Sequence, residues 1–126
     1  MLERATINAP DAVRVRADAA ALPFADGTFG AIVNLAAIDL YSDPERALAE
    51  SVRVLARGGR WLASTFVAPQ RKRFSWANDF WARAAGVRTP TEGAFRSLVA
   101  STGLQRLESV RFGSYLLVWA DKACEP

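Results

Sequence analysis

The sequence predicts an α/β fold with a mostly parallel sheet and an antiparallel hairpin at its C-terminal end. Three observations predict it. Apolar, β-rich runs (Ala31 to Ala37, Trp61 to Val67) alternate with segments of helical periodicity. The helical segments are bounded by capping residues, Pro and Gly. Leu104 to Phe112 and Tyr115 to Ala120 are separated only by Gly113 and Ser114, room for a tight turn and nothing more, so that pair is antiparallel. Alternating βα units elsewhere imply parallel strands with helices on the sheet faces.

Taken in order, Met1 to Ala9 reads as helix and stops at Pro10 and Asp11. Val13, Val15 and Ala17 then alternate with Arg14 and Arg16, the period of a strand, which Asp18 closes. A small-residue stretch, Ala19 to Phe24, leads into a turn at Ala25, Asp26 and Gly27. Ala31 to Ala37 is a near-continuous apolar run, the signature of a strand buried on both faces.

The next helix is the best punctuated. Ser42 and Asp43 offer cap oxygens, Pro44 suits the first helical position and Glu45 the positive end of the dipole. Ala47, Leu48, Ser51, Val52 and Leu55 share a face, Arg57 falls in the expected last turn, and Gly58 and Gly59 allow a left-handed cap. Trp61 to Val67 follows as a second central strand. Ser75 to Trp81 reads as a short amphipathic helix with Trp76, Phe80, Trp81 and Ala84 on one side. In the last helix Thr89, Pro90 and Glu92 form a capping box, Phe95, Leu98 and Val99 point one way, and Gly103 ends it. With no repeat or linker, residues 1–126 read as a single domain.

Composition narrows the chemistry. The chain has 126 residues, 51% of them hydrophobic and 23% charged, enough for a real core. It has no histidine, which excludes histidine acid–base catalysis, and with Cys124 as its one cysteine no zinc site is expected. An intrachain disulfide is impossible, and the N-terminus lacks a signal-peptide pattern, so a cytoplasmic setting is expected. No apolar run is long enough to cross a bilayer. Arg71, Lys72 and Arg73 are the one basic cluster; without a recognition motif they read as a solvated loop, and no nucleic acid is expected.

Several segments in series carry a resemblance. They are Arg16 to Phe29 (RADAAALPFADGTF), Ala31 to Leu40, Asp43 to Leu48 (DPERAL) and Val52 to Arg60 (VRVLARGGR). Together they resemble the class I S-adenosylmethionine-dependent methyltransferases, in particular the small-molecule (type 11-like) group that includes quinone and sterol enzymes. The resemblance is strong from Val13 to Val67 and weaker from Thr89 to Ala120. It implies a Rossmann-like methyltransferase sheet lacking its first two strands, with residues 68–89 as a variable, lid-like insertion. Met1 to Ala5 resembles the helix after the family's second strand. The glycine-rich turn and the acidic residue that hold the cofactor would therefore lie ahead of Met1.

The resemblance also assigns roles. S-adenosylmethionine is the implied cofactor, and Asp18 and Ala19 match the acid-plus-small pair that contacts adenine; Asp18 reads equally as a turn residue. Asn34 and Leu35 border the cofactor and Ala37 the acceptor, with strand packing preferred for Leu35. Asp39 interrupts an apolar run at a strand exit and is the one candidate for a base, against the competing reading of a loop carboxylate. As a base it would need a pKa raised by burial. Trp76, Phe80 and Trp81 could cover a small apolar acceptor, although aromatics at this spacing more often form core. Methyl transfer from a sulfonium rests mainly on holding three atoms in line, so the absence of histidine is compatible with it. The expected function is methyl transfer to a small molecule, with this stretch inactive by itself. The alternative is a non-catalytic remnant acting as an oligomeric or binding module. Open strand edges predict a homodimer, a strand-swapped assembly, or direct pairing of the Val15 and Val33 segments.

Overall fold

A computed structural model describes residues 9, 11–68, 80, 84 and 89–125. Strand β1 (Phe29–Leu35) leads through a 3-10 turn (Ile38–Leu40) into helix α1 (Pro44–Val54), and strand β2 (Leu55–Phe66) follows directly. Helix α2 (Glu92–Ala100) precedes the hairpin of β3 (Gln105–Phe112) and β4 (Tyr115–Asp121). The sheet order is β1-β2-β4-β3. β1 is parallel to β2, and β4 is antiparallel to both β2 and β3. Three strands thus run one way and β4, inserted between its neighbours, runs against them.

Alternation along the strands separates two faces. Trp61, Ala63, Thr65 and Val67 of the β2 arm, with Leu116, Val118 and Ala120 of β4, are fully or almost fully buried on one face. They pack with Leu48 of α1 and with Phe95 and Val99 of α2, which share one hydrophobic core. Trp61 also donates its Nε1 proton to the Ser51 hydroxyl at 3.1 Å, which satisfies a polar atom that would otherwise be costly to bury.

Four expectations are corrected. Val13 to Ala17 is not a strand: it pairs neither with β1 nor with any other described segment, and Val13 is 92% exposed. Extended chain becomes a strand only when a neighbour takes up its N–H and C=O groups, and here the nearest bridge is an isolated one between Asp18 and Ala21. β1 is not buried on both faces; Val33 and Leu35 are 62% and 60% exposed, because β1 forms one edge of the described sheet.

Helix α1 ends at Val54, ahead of Arg57 and the glycine pair. Lys122 donates from Nζ to the Val52 and Leu55 carbonyls, each at 2.7 Å, and so supplies the C-terminal cap expected from glycine. Gly58 and Gly59 serve the strand instead. Gly58 takes φ +72°, and a Cβ on Gly59 would stand 2.9 Å from the Gly30 carbonyl. Finally, Thr91 and not Thr89 caps α2, its side chain accepting from the Ala94 N–H at 3.2 Å. Pro90 is held outside the helix because its carbonyl accepts from the Ala68 N–H. The helix expected over Met1 to Ala9 and the basic cluster Arg71 to Arg73 lie outside the described residues, apart from Ala9. No described helix is long and apolar enough to cross a membrane.

Candidate functional site

The carboxyl ends of β1 and β2 carry a group of polar contacts. β1 ends at Leu35, and Ala36 then adopts φ +51°, a conformation uncommon for a residue with a Cβ. Its N–H is fixed there by two acceptors of Ser64, the carbonyl at 3.0 Å and the Oγ at 3.1 Å. The Tyr115 hydroxyl meets the same Oγ at 2.5 Å. Sequence reasoning placed Ala36 beside the cofactor and acceptor by resemblance but passed over Ser64 and Tyr115: a serine inside an apolar strand and a strand-initial tyrosine carry no signal until the sheet juxtaposes them.

The turned chain then forms the 3-10 turn and reaches α1. Asp43 caps this helix by accepting from the Arg46 N–H at 3.0 Å. The cap aims Tyr41 back toward β1, where its hydroxyl accepts from the Asn34 amide at 3.1 Å. The Asn34 Oδ1 is buried and, among the described residues, has no hydrogen-bond partner, which marks the site as polar and only partly satisfied there.

Two hollows flank this connection. The larger, about 800 Å³, brings Asp18 and Ala19 of the first connection against Leu40 and Tyr41 of the second, with Phe24 and Phe29 along its wall. The smaller, about 480 Å³, holds Asp39 with Ile38, Pro90 and Phe95. Ser42 and Asp43 line both. Asp18 keeps its carboxylate in place by accepting from the Ala20 N–H at 2.9 Å, and Arg46 fixes the same segment by donating to the Ala20 carbonyl at 3.1 Å. The segment is fastened further along, where the Glu50 carboxylate accepts from the Leu22 N–H at 2.9 Å and from Arg53.

Asp39 is half-buried and accepts from the Thr65 hydroxyl. Burial pushes its carboxyl above the ordinary range, and hydrogen bonds from Thr65 and the Phe66 backbone hold back part of that rise. The expected residues therefore separate into groups. Asp18 and Ala19 share the large hollow, and Asp39 lines the smaller one. Asn34 touches the large hollow only through Tyr41. Leu35 is exposed on the sheet face, and Ala37 caps the 3-10 turn. Phe80 is helical and 65% exposed, while Trp76 and Trp81 lie outside the described residues. Tyr41 was also missed; its place next to a cap was legible, but its reach back to Asn34 was not. Among the described residues no group of His, Cys, Asp or Glu side chains could hold a metal ion.

Comparison with known proteins adds the family. Residues 1–63 match a family described as a methyltransferase domain. The chain is 43% identical over 60 residues to a demethylmenaquinone methyltransferase of Thermus thermophilus, covering 48% of this chain and 27% of that protein. It is 34% identical over 103 residues to the ubiquinone/menaquinone biosynthesis C-methyltransferase UbiE of Saccharophagus degradans, covering 82% and 40%. An S-adenosylmethionine dependent methyltransferase from Mesorhizobium loti shares the fold with TM-score 0.74 at 21% identity, over 97% of this chain and 76% of that one. The chain thus spans well under half the length of these two curated relatives.

Proposed function

Since this chain belongs to the methyltransferase-domain family, we propose that it forms the adenine and acceptor side of a site for S-adenosylmethionine-dependent methyl transfer to a small apolar or amphipathic molecule. The carrying observation is the large hollow, where Asp18 and Ala19 meet Leu40 and Tyr41 of the connection that follows the carboxyl end of β1. Ligands of open α/β sheets bind at that side. The residues fit the adenine end of the cofactor. A carboxylate can accept from an exocyclic amine, Ala19 leaves room for a ring, and Tyr41 offers an aromatic wall. For the methionine end this chain offers no Gly-x-Gly-x-Gly run among its eight glycines.

When bound, S-adenosylmethionine supplies a methyl group activated by a positive sulfur. The chain's own part is to bind, orient and exclude water. Asn34 holds the Tyr41 hydroxyl, and Ser64 fixes Ala36 so that the chain turns away from β1 and leaves the hollow open. Ala37 borders the acceptor on this reading, and Phe80, Trp76 and Trp81 cover it. The quinone-directed names of the two relatives support an apolar acceptor. Asp39, with its pKa raised by burial, is the group suited to exchange a proton with an acceptor in the smaller hollow. A cytoplasmic setting and a second copy as partner complete the reading. A second reading is a non-catalytic module of the same fold that acts as an oligomeric or binding unit.

Saturation-transfer NMR with adenosine and S-adenosylhomocysteine, each at about 1 mM because affinity near 4 kcal/mol is expected for half a site, tests both. The adenine protons should receive saturation and the homocysteine methylenes should not, and Asp18→Ala should remove the effect. Adenine protons left unsaturated sink the first reading. Micromolar binding of the intact homocysteine compound sinks the second.

A further inference from the structure

Two hydroxyls interrupt the apolar run of β2 near its carboxyl end. Ser64 and Thr65 stand between Ala63 and Phe66, and both are fully buried. Among the described residues they are the only buried polar ones. Consecutive strand residues face opposite sides of a sheet, so one hydroxyl enters each face at the same level. A buried hydroxyl destabilises the fold unless it finds a partner. Both of these find theirs in the turn that leaves β1.

On one face the Ser64 Oγ accepts from the Ala36 N–H at 3.1 Å, and the Ser64 carbonyl accepts from the same N–H at 3.0 Å. The Tyr115 hydroxyl donates to this Oγ at 2.5 Å. Tyr115 is held in turn by its place opposite Phe66 in the β2–β4 ladder and by the edge-to-face contact of their rings, 5.4 Å between centroids. On the other face the Thr65 hydroxyl donates to the Asp39 carboxylate. Ala36 and Asp39 are the two ends of one short turn, and Ile38 between them is buried in the core. The turn is therefore held at both ends and in its middle, and Asp39 lines the smaller hollow from it.

We propose that Ser64 and Thr65, braced by Tyr115, are positioning residues of the site: they set the turn out of β1 and hold one oxygen of Asp39, so that the carboxylate meets an acceptor hydroxyl in the smaller hollow. A strand here requires neither hydroxyl, since valine would suit an apolar run as well. A carboxylate already held in one rotamer loses less freedom when a ligand meets it. The other charged residues on that hollow are Asp43 and Glu45, and α2 lines it with Ala94, Phe95 and Leu98 alone. Asp43 is committed to its helix cap. This rests on the reading of Asp39 as the group that faces the acceptor, and two measurements separate the one from the other.

Carbon-detected NMR titration of the Asp39 carboxyl in the 126-residue chain reads the placement with no ligand present. A hydrogen bond to a carboxylate favours its charged form. Thr65→Val should therefore move the Asp39 midpoint to higher pH, and Thr65→Ser, which keeps the donor, should leave it at the wild-type value. A valine variant that titrates like wild type overturns the proposal, as does a serine variant that titrates like the valine one. Chemical-shift perturbation with 1-naphthol and 1-methylnaphthalene then reads the function, because the two probes share a ring system and differ in the hydroxyl. Wild type and Thr65→Ser should prefer 1-naphthol several-fold, and Thr65→Val should bind the two alike. A preference that survives in the valine variant overturns the positioning and leaves Asp39 its role. No preference in the wild type removes that role and the proposal with it. Where valine disturbs folding, Tyr115→Phe decides, since it removes a single oxygen. Its Ala36 amide should exchange with solvent faster than in wild type, while the Ala63 amide inside β2 keeps its rate. Unchanged exchange at Ala36 overturns the proposal.

Discussion

At the scale of single residues, Asp39 shows how burial and hydrogen bonding compete. Desolvation disfavours its carboxylate, while Thr65 and the Phe66 backbone favour it, and the net shift is upward. The consequence for stability has a definite sign. In the window from the unfolded value of 3.8 up to the raised folded value, the native state binds more protons than the unfolded one, so stability falls as pH rises through it. Asp39→Asn keeps the shape and cannot ionise. Relative to it, the wild type should lose stability as pH rises above 3.8, as read from urea midpoints. A wild type that gains on the variant over this range shows that the carboxylate is favoured and not penalised by its site. Ala36 and Tyr115 are the complementary case: the strained turn persists because Ser64 supplies two acceptors and a phenol braces the serine hydroxyl.

At the scale of elements, the decisive groups are the helix ends. α1 starts where Asp43 can accept from Arg46, and it stops where Lys122 takes two terminal carbonyls. α2 starts at Thr91, because the Pro90 carbonyl is already committed to Ala68. Thr91→Ala should therefore cost about 1 kcal/mol of stability, the usual loss of an N-cap. Thr89→Ala should lie within about 0.5 kcal/mol of wild type, as for surface sites without a special role. Thermal or urea unfolding of the two variants decides between the caps. A larger loss at Thr89 would restore the capping box read from the sequence.

At the scale of the whole molecule, the described sheet is covered unevenly. One face carries α1 and α2 over a hydrophobic core. On the other, Phe66 and Phe112 are exposed alongside Val33 and Leu35. The segment before β1 is fastened to the rest by polar bonds more than by packing. Glu50 accepts from Leu22, and Arg53 joins Glu50, Asp26 and the Phe24 carbonyl. Hydrogen bonds from Arg53 and then from Leu22 depress the Glu50 pKa from 4.5 to about 2. A depressed carboxylate contributes stability above its unfolded pKa and loses it as pH falls through the folded value. Between pH 4.5 and about 2 this fastening should therefore release, seen as rising amide hydrogen exchange at Leu22 before the core exchanges. Glu50→Gln should flatten that dependence. An unchanged pH profile in the variant would place the fastening elsewhere.

The sequence by itself determined the elements whose causes are local. The α1 start follows from Asp43 and Pro44, the hairpin from Gly113 and Ser114, the buried β2 from its apolar run, and the family from an ordered series of segments. Of the candidate site, Asp39 was read from the sequence because a carboxylate that interrupts an apolar run is visible in one dimension, and Asp18 and Ala19 were read from the family resemblance, although the strand they were expected to close does not form. Tertiary structure alone decided the rest. Whether Val13 to Ala17 is a strand depends on a neighbour to bond with, not on its alternation. Whether β1 is buried depends on what lies beside it. The α1 end is set by Lys122, close to 70 positions away along the chain. Tyr41 meets Asn34, and Tyr115 meets Ser64, only after the sheet has formed. Periodicity records what a segment can bury. The partner that completes its hydrogen bonds is chosen by the fold.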